Sequence, residues 1–153
     1  MPSGSPERRL AELKIILPEV TPAGNYLPAV RAGDLVFVSG QIAKSEGKIA
    51  FKGAVGAELD AAAGGRAARI CVINALAALR QEVKSLDKVV KIVKLNGYVR
   101  AAPGFTEIPK VLDPASDLLI EIFGEAGRHA RATVGVIALP LGSAVEIDLV
   151  VAV

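Results

Sequence analysis

The chain has no tryptophan and only two tyrosines and four phenylalanines in 153 residues. A surface that stacks bases or sugar rings needs aromatic area, so little material exists to build one. One cysteine, Cys71, excludes an intramolecular disulfide framework, and one histidine, His129, leaves no His-rich metal cluster. Charge of one sign is also scarce. Lys plus Arg number 18 against 16 Asp plus Glu, a formal +2 that recruits anions only where it is locally concentrated. Long apolar runs are missing as well: the longest uncharged stretch, Ala132 to Val145, contains Pro140 and falls short of the roughly 20 residues needed to cross a bilayer as a helix. That stretch reads as buried sheet. The start, MPSGSPERRLAELK, carries charges and no apolar core, so it does not resemble a secretory signal, and the expected location is the cytoplasm with no membrane partner.

What is present suits one compact domain. Hydrophobic residues make up 52%, enough to offset the entropy of ordering a chain of this length around a single core. The expected division is a leader with a short helix over 1–19 and one domain over 20–153. Leu10, Leu13 and Ile16 predict an amphipathic helix ended by Pro18, and TPAGNYLPAVRAGD, with Tyr26 near its middle, predicts an irregular approach to the first strand. LVFVSGQI predicts a strand over Leu35 to Ile42, with SEGK as a turn and a short return strand near Ile49 to Lys52. Helical spacing runs from Glu58 to about Lys84, held more firmly from Arg66 because Gly64 and Gly65 weaken the first half. DKVVKIVKLNGYV predicts another strand. Pro103, Pro109 and Pro114 predict a wandering surface segment, followed by a helix capped by Ser116 or Asp117. RATVGVIAL and AVEIDLVVAV, joined by LPLGS, predict an antiparallel hairpin.

This order, with two strand–helix–strand crossovers, predicts an α/β (α+β) domain: a mixed sheet with two helices on one face. The other face mixes apolar and acidic residues; sheet packing in an oligomer would cover it, and the other reading is an ordinary solvated face.

No phosphate loop, CxxC or HExxH motif is present. A Ser–His–Asp triad would have to pair His129 with a serine such as Ser39. Arg131 opens an otherwise apolar strand, so its guanidinium must pair with an anion or reach water, and a carboxylate ligand fits its planar fork. Glu146 is expected on the neighbouring arm of the hairpin, within reach of the same pocket; the other reading of the pair is a structural ion pair. Cys71, between Ile70 and Val72, reads as a small buried hydrophobe.

GNYLPAVRAGDLVFVSGQI, the helix with NALAALRQEV, LDKVVKIVKLNGYV and HARATVGVIALPLGSAVEIDLVVAV together resemble the Rid family, the reactive intermediate deaminases, also called the YjgF or L-PSP endoribonuclease family. The likeness runs from about residue 20 to the C-terminus. It implies a chorismate-mutase-like fold assembled as a homotrimeric barrel with ligand clefts between subunits. It also implies hydrolysis of 2-imino or 2-enamino acids to 2-oxo acids and ammonia, with no metal or organic cofactor. Arg131 would hold the substrate carboxylate, Tyr26 and Ser39 would line the cleft, and Glu146 would position water. Gly40 would offer backbone polar groups, and Thr133 would stand at the pocket floor in place of the family's cysteine. An insertion over 101–113 and the Pro114–Asp117 stretch depart from the deaminating members. Two further readings carry different expectations: a carboxylate-binding trimer or sensor without turnover, and an endoribonuclease. The absence of a histidine pair and of a dense basic groove makes nucleic acid the less expected partner.

Overall fold

A computed structural model describes residues 4–22 and 24–153. Helix α1 (Pro6–Glu12) precedes the edge strand β1 (Ala29–Ala32), strand β2 (Leu35–Ile42) and a small hairpin of β3 (Lys44–Ser45) and β4 (Lys48–Ile49). The long helix α2 (Ala61–Val83), strand β5 (Lys91–Arg100), helix α3 (Ile108–Phe123), strand β6 (Ala130–Val136) and strand β7 (Val145–Ala152) complete the chain. Five strands form one mixed sheet in the order β1-β2-β7-β5-β6, in which only β5 and β6 run parallel.

Period-two alternation builds the core. On β7, Val145, Ile147, Leu149 and Val151 are buried, while Glu146, Asp148, Val150 and Ala152 point the other way. Val36 and Val38 on β2 and Ile92, Leu95 and Val99 on β5 join the buried set, and α2 and α3 close over it. Full burial of each such side chain contributes about 1.5–3 kcal/mol before the entropy of ordering is subtracted. Helix α2 is long and apolar enough to cross a bilayer, yet 72% of its most apolar window is buried inside the domain, which marks it as a core helix. Cys71 lies in that core, fully buried, with Sγ 3.4 Å from the Val145 carbonyl.

Five local expectations are corrected. Helix α1 starts at the Ser5 cap with Pro6 in its first turn and ends before Lys14, whose φ is 57°, so Ile16 lies outside it and is 90% exposed. Ala29–Ala32 is a strand, turned into β2 through Gly33 at φ 62°. Gly64 and Gly65 do not interrupt α2, which starts at Asp60, whose carboxylate accepts from the Ala63 N–H at 2.8 Å. The two glycines are where α3 comes close: a β-carbon on Gly64 would stand 2.9 Å from Val111 Cγ1, and one on Gly65 2.9 Å from Pro114 Cγ.

Helix α3 starts at Ile108 rather than near Ser116. Pro109 sits in the first turn, where a missing N–H costs nothing, and Pro114 forgoes only its bond to the exposed Lys110 while its ring packs on Gly65. Finally, β6 and β7 do not pair: β5 is inserted between them, parallel to β6 and antiparallel to β7.

Candidate functional site

The pairing of β2 with β7 slips between Val38 and Gln41, so that Ser39 and Gly40 together oppose Asp148 in a β-bulge. Bulges re-aim side chains and recur beside active sites. Here the Ser39 hydroxyl donates to the Leu27 carbonyl at 2.6 Å and the Ser39 N–H donates to the Pro28 carbonyl at 2.9 Å. These bonds hold the preceding segment against β2 and set Tyr26, 53% exposed, in the wall of a cleft of about 480 Å³. That size suits a small molecule. Gly40 and Glu146 line the same cleft, as do Leu141 and the stretch 18–22. Asn74 on α2 pins its rim by donating to the carbonyls of Ile42 and Lys44 at 3.0 and 2.9 Å.

Glu146 projects from the sheet face that carries no helix, together with Asp148. Asp148 is engaged: Asn96 Nδ2 donates to Oδ1 at 2.8 Å and the Tyr98 hydroxyl donates to Oδ2 at 3.0 Å. Burial and that bond to Asp148 push the Tyr98 hydroxyl up, which keeps it a donor. Glu146 has no such compensation among the described residues. Partial burial first, and the Asp148 charge second, raise its carboxyl above the usual carboxylate range. A half-buried carboxylate with free lone pairs and raised basicity is able to take a proton from water.

Arg131 and Thr133 lie elsewhere. In the parallel register Arg131 pairs with Leu95 and Thr133 with Gly97, which puts both on the helix-covered side of the sheet, whereas Glu146 pairs with Tyr98 on the open side. Arg131 Nη1 donates to Asp113 Oδ1 at 3.0 Å and to Ser116 Oγ at 3.1 Å, and Nη2 makes a long 3.4 Å contact to the Pro109 carbonyl. All three partners come from α3, so the 101–113 insertion ends in the helix that holds the guanidinium. Among the described residues Nε has no partner, which leaves that edge of the fork free to take a ligand. The expectation that Arg131 and Glu146 occupy adjacent strands is therefore corrected: one strand and the thickness of the sheet separate them. Within one chain, Tyr26, Gly40 and Glu146 come together, Ser39 braces them, and Arg131 with Thr133 stands apart.

His129 does not meet Ser39. Its Nε2 is 2.9 Å from Ser116 Oγ and its Nδ1 2.6 Å from the Gly127 carbonyl. Sequence reasoning missed Asp113, Ser116 and Asn96 as site partners. Asp113 and Ser116 stand three apart on α3, a spacing that signals a shared face only once the helix is known to start at Ile108. Asn96 alternates with Tyr98 on β5, a signal that was available.

Comparison with known proteins agrees with this architecture. The family model described as "YjgF/chorismate mutase-like, putative endoribonuclease" matches residues 7–153. Protein TCP17 of Trypanosoma cruzi is 42% identical over 151 residues, spanning 97% of this chain and 94% of that protein. The crystal structure of a protein of unknown function from Agrobacterium tumefaciens is 42% identical with a TM-score of 0.90, over 97% of this chain and 92% of its own. That of a putative endoribonuclease from Shewanella oneidensis is 38% identical with a TM-score of 0.94, over 98% and 100%. An α+β sheet covered by two helices, with matching sequence along nearly all of its length, makes this chain a member of the Rid/YjgF/L-PSP family.

Proposed function

We propose that the chain is an imine and enamine deaminase that converts small 2-imino or 2-enamino acids to 2-oxo acids and ammonia, in clefts between the subunits of a homotrimer. The observation that carries the reading is Glu146: a half-buried carboxylate of raised basicity, free of hydrogen-bond donors among the described residues, in a small-molecule cleft beside Tyr26. Water adds to the imine carbon as Glu146 takes its proton, and the substrate nitrogen gains a proton. The resulting carbinolamine then expels ammonia and leaves the carbonyl. Tyr26 hydrogen-bonds substrate or water, and the Gly40 backbone lies alongside. Because imines already hydrolyse in water, orientation supplies most of what is needed.

Arg131 of a neighbouring copy completes the cleft by clamping the substrate carboxylate through its free edge, with Thr133 below it. Charge-assisted bonds of this kind contribute about 1.5–3 kcal/mol each. Two features support assembly. The open face exposes Val30, Phe37 and Val134 around the Asn96–Tyr98–Asp148 cluster, an apolar surface of the kind subunits cover. Arg131 and Glu146 also face opposite ways in one chain, so only a second copy brings such a pair together.

The test is to generate 2-aminoacrylate and related imino acids in situ and follow 2-oxo acid formation with wild type and Glu146→Gln. Acceleration by wild type alone is expected. No acceleration with small, branched or aromatic side chains overturns the reading, and binding without ammonia release makes the protein a carboxylate sensor instead. RNA cleavage has less to rest on, since the sole histidine lies outside the Glu146 cleft.

A further inference from the structure

From His129 through Ser116 to Arg131 Nη1 each polar proton can be assigned. The Gly127 carbonyl only accepts, so the His129 Nδ1 facing it at 2.6 Å carries a proton. In the neutral ring Nε2 is then bare, and the Ser116 hydroxyl donates to it at 2.9 Å. With its one proton spent, Ser116 Oγ turns lone pairs to Arg131 Nη1, 3.1 Å away, while the second Nη1 proton goes to Asp113. Burial first, then the charges of Arg131 and Lys91, hold the imidazole below its ordinary value and keep it neutral at physiological pH. The charged groups facing it are thus Arg131 on β6 and Lys91 on β5. Helix α3 presents Ser116 directly and Asp113 through Arg131, and the turn after α3 presents a carbonyl.

We infer that Ser116 and His129 are positioning residues for the Arg131 fork, a relay in which the histidine orients the serine oxygen and the serine oxygen fixes the guanidinium with its Nε edge left free. The inference rests on the reading of Arg131 as a carboxylate clamp. Its chemistry fits no nucleophilic role for Ser116, whose oxygen is committed to a cation and which does not line the Glu146 cleft. Sequence departure and structure meet here: the Pro114–Asp117 stretch supplies the serine, and the helix extension before it supplies the aspartate.

The single histidine gives one imidazole signal to follow by NMR. Pyruvate, the smallest methyl-bearing 2-oxo acid, serves as probe. In wild type, saturating pyruvate is expected to raise the titration midpoint of His129, because it neutralises the neighbouring guanidinium; in Arg131→Gln it leaves the midpoint unchanged. By linkage, pyruvate binds wild type more tightly on the acid side of that midpoint. Ser116→Ala and His129→Leu should each weaken pyruvate about tenfold. Ser116→Thr, which keeps the hydroxyl, and His129→Gln, which keeps an acceptor for it, should stay close to wild type.

If Ser116→Ala and His129→Leu bind pyruvate like wild type while Arg131→Gln does not, the relay is overturned and the clamp stands. If pyruvate neither binds wild type nor moves His129, the clamp reading falls. The relay is then decided without ligand: it stands if Ser116→Ala shifts the His129 midpoint, and falls if it does not.

Discussion

Gly40 and Glu146 share one small volume. A β-carbon on Gly40 would stand 2.8 Å from Glu146 Oε2 and 3.0 Å from Cδ, so the carboxyl occupies the space that any larger residue at position 40 would fill. The glycine is there for close approach and not for a left-handed backbone, since its φ lies outside that region. Gly40→Ala should therefore push the carboxylate aside while leaving the fold intact. A kcat for imine hydrolysis lower by roughly 10- to 100-fold is expected, with little change in thermal midpoint. A wild-type kcat would show that the carboxylate position is immaterial.

The pH dependence follows from Glu146. Burial and Asp148 raise its carboxyl in the folded chain, so the folded state binds this proton more readily than the unfolded one. Its favourable contribution is complete below the ordinary value of 4.5 and is lost as pH rises through the folded value. At neutral pH the ionised group therefore costs stability. Glu146→Gln is expected to raise the thermal midpoint by a few degrees at pH 7 while removing activity, a trade seen where function needs a poorly solvated charge. In wild type, activity should fall on the acid side at a pH above that of an ordinary glutamate. A drop at or below 4.5 would contradict the assignment of Glu146 as base.

Asp113 competes for the guanidinium it holds. It is the more exposed partner of the pair, at 57% against 23% for Arg131, so its charge is largely screened. Asp113→Asn keeps an acceptor for Nη1 and removes the charge. Pyruvate affinity is expected to rise by about two- to fivefold, read by calorimetry, with no change in kcat.

Gly127 is the tightest glycine described. A β-carbon there would stand 2.3 Å from the backbone oxygen of Leu119, which cannot swing away as a side chain would. Gly127→Ala should cost about 3 kcal/mol in denaturant unfolding. Gly64→Ala meets only the side-chain ends of Val111 and Val55 and recovers helix propensity, so about 1 kcal/mol is expected.

On the proposed assembly, Phe37→Glu sets a charge on the open face, between Val30 and Val150, and should yield monomers by light scattering where wild type is trimeric. A monomeric wild type would remove the assembly.

The sequence was most legible where period-two burial governs a strand. The run Leu35–Ile42 marks its own bounds because it alternates between core and open face, and the alternation of β7 is visible in the same way. Proline misled at α3: read as a breaker, it proved a favourable first-turn residue at 109 and a packing surface for Gly65 at 114. The insertion of β5 between β6 and β7 leaves no local mark, because LPLGS looks the same whether its flanking strands pair or straddle a third. The roles of Tyr26 and Gly40 rest on the resemblance and that of Glu146 also on its place in the C-terminal run; the three line one cleft. The face each residue occupies depended on that strand order, so the separation of Arg131 from Glu146 was not readable.

The separation of Arg131 and Glu146 by one strand and a sheet's thickness has a genetic consequence. Two crippled chains, one Arg131→Ala and the other Glu146→Gln, should restore each other when refolded together, since some clefts would draw an intact arginine from one parent and an intact glutamate from the other. With equal mixing, roughly a quarter of the clefts would be whole, and either chain alone would have none.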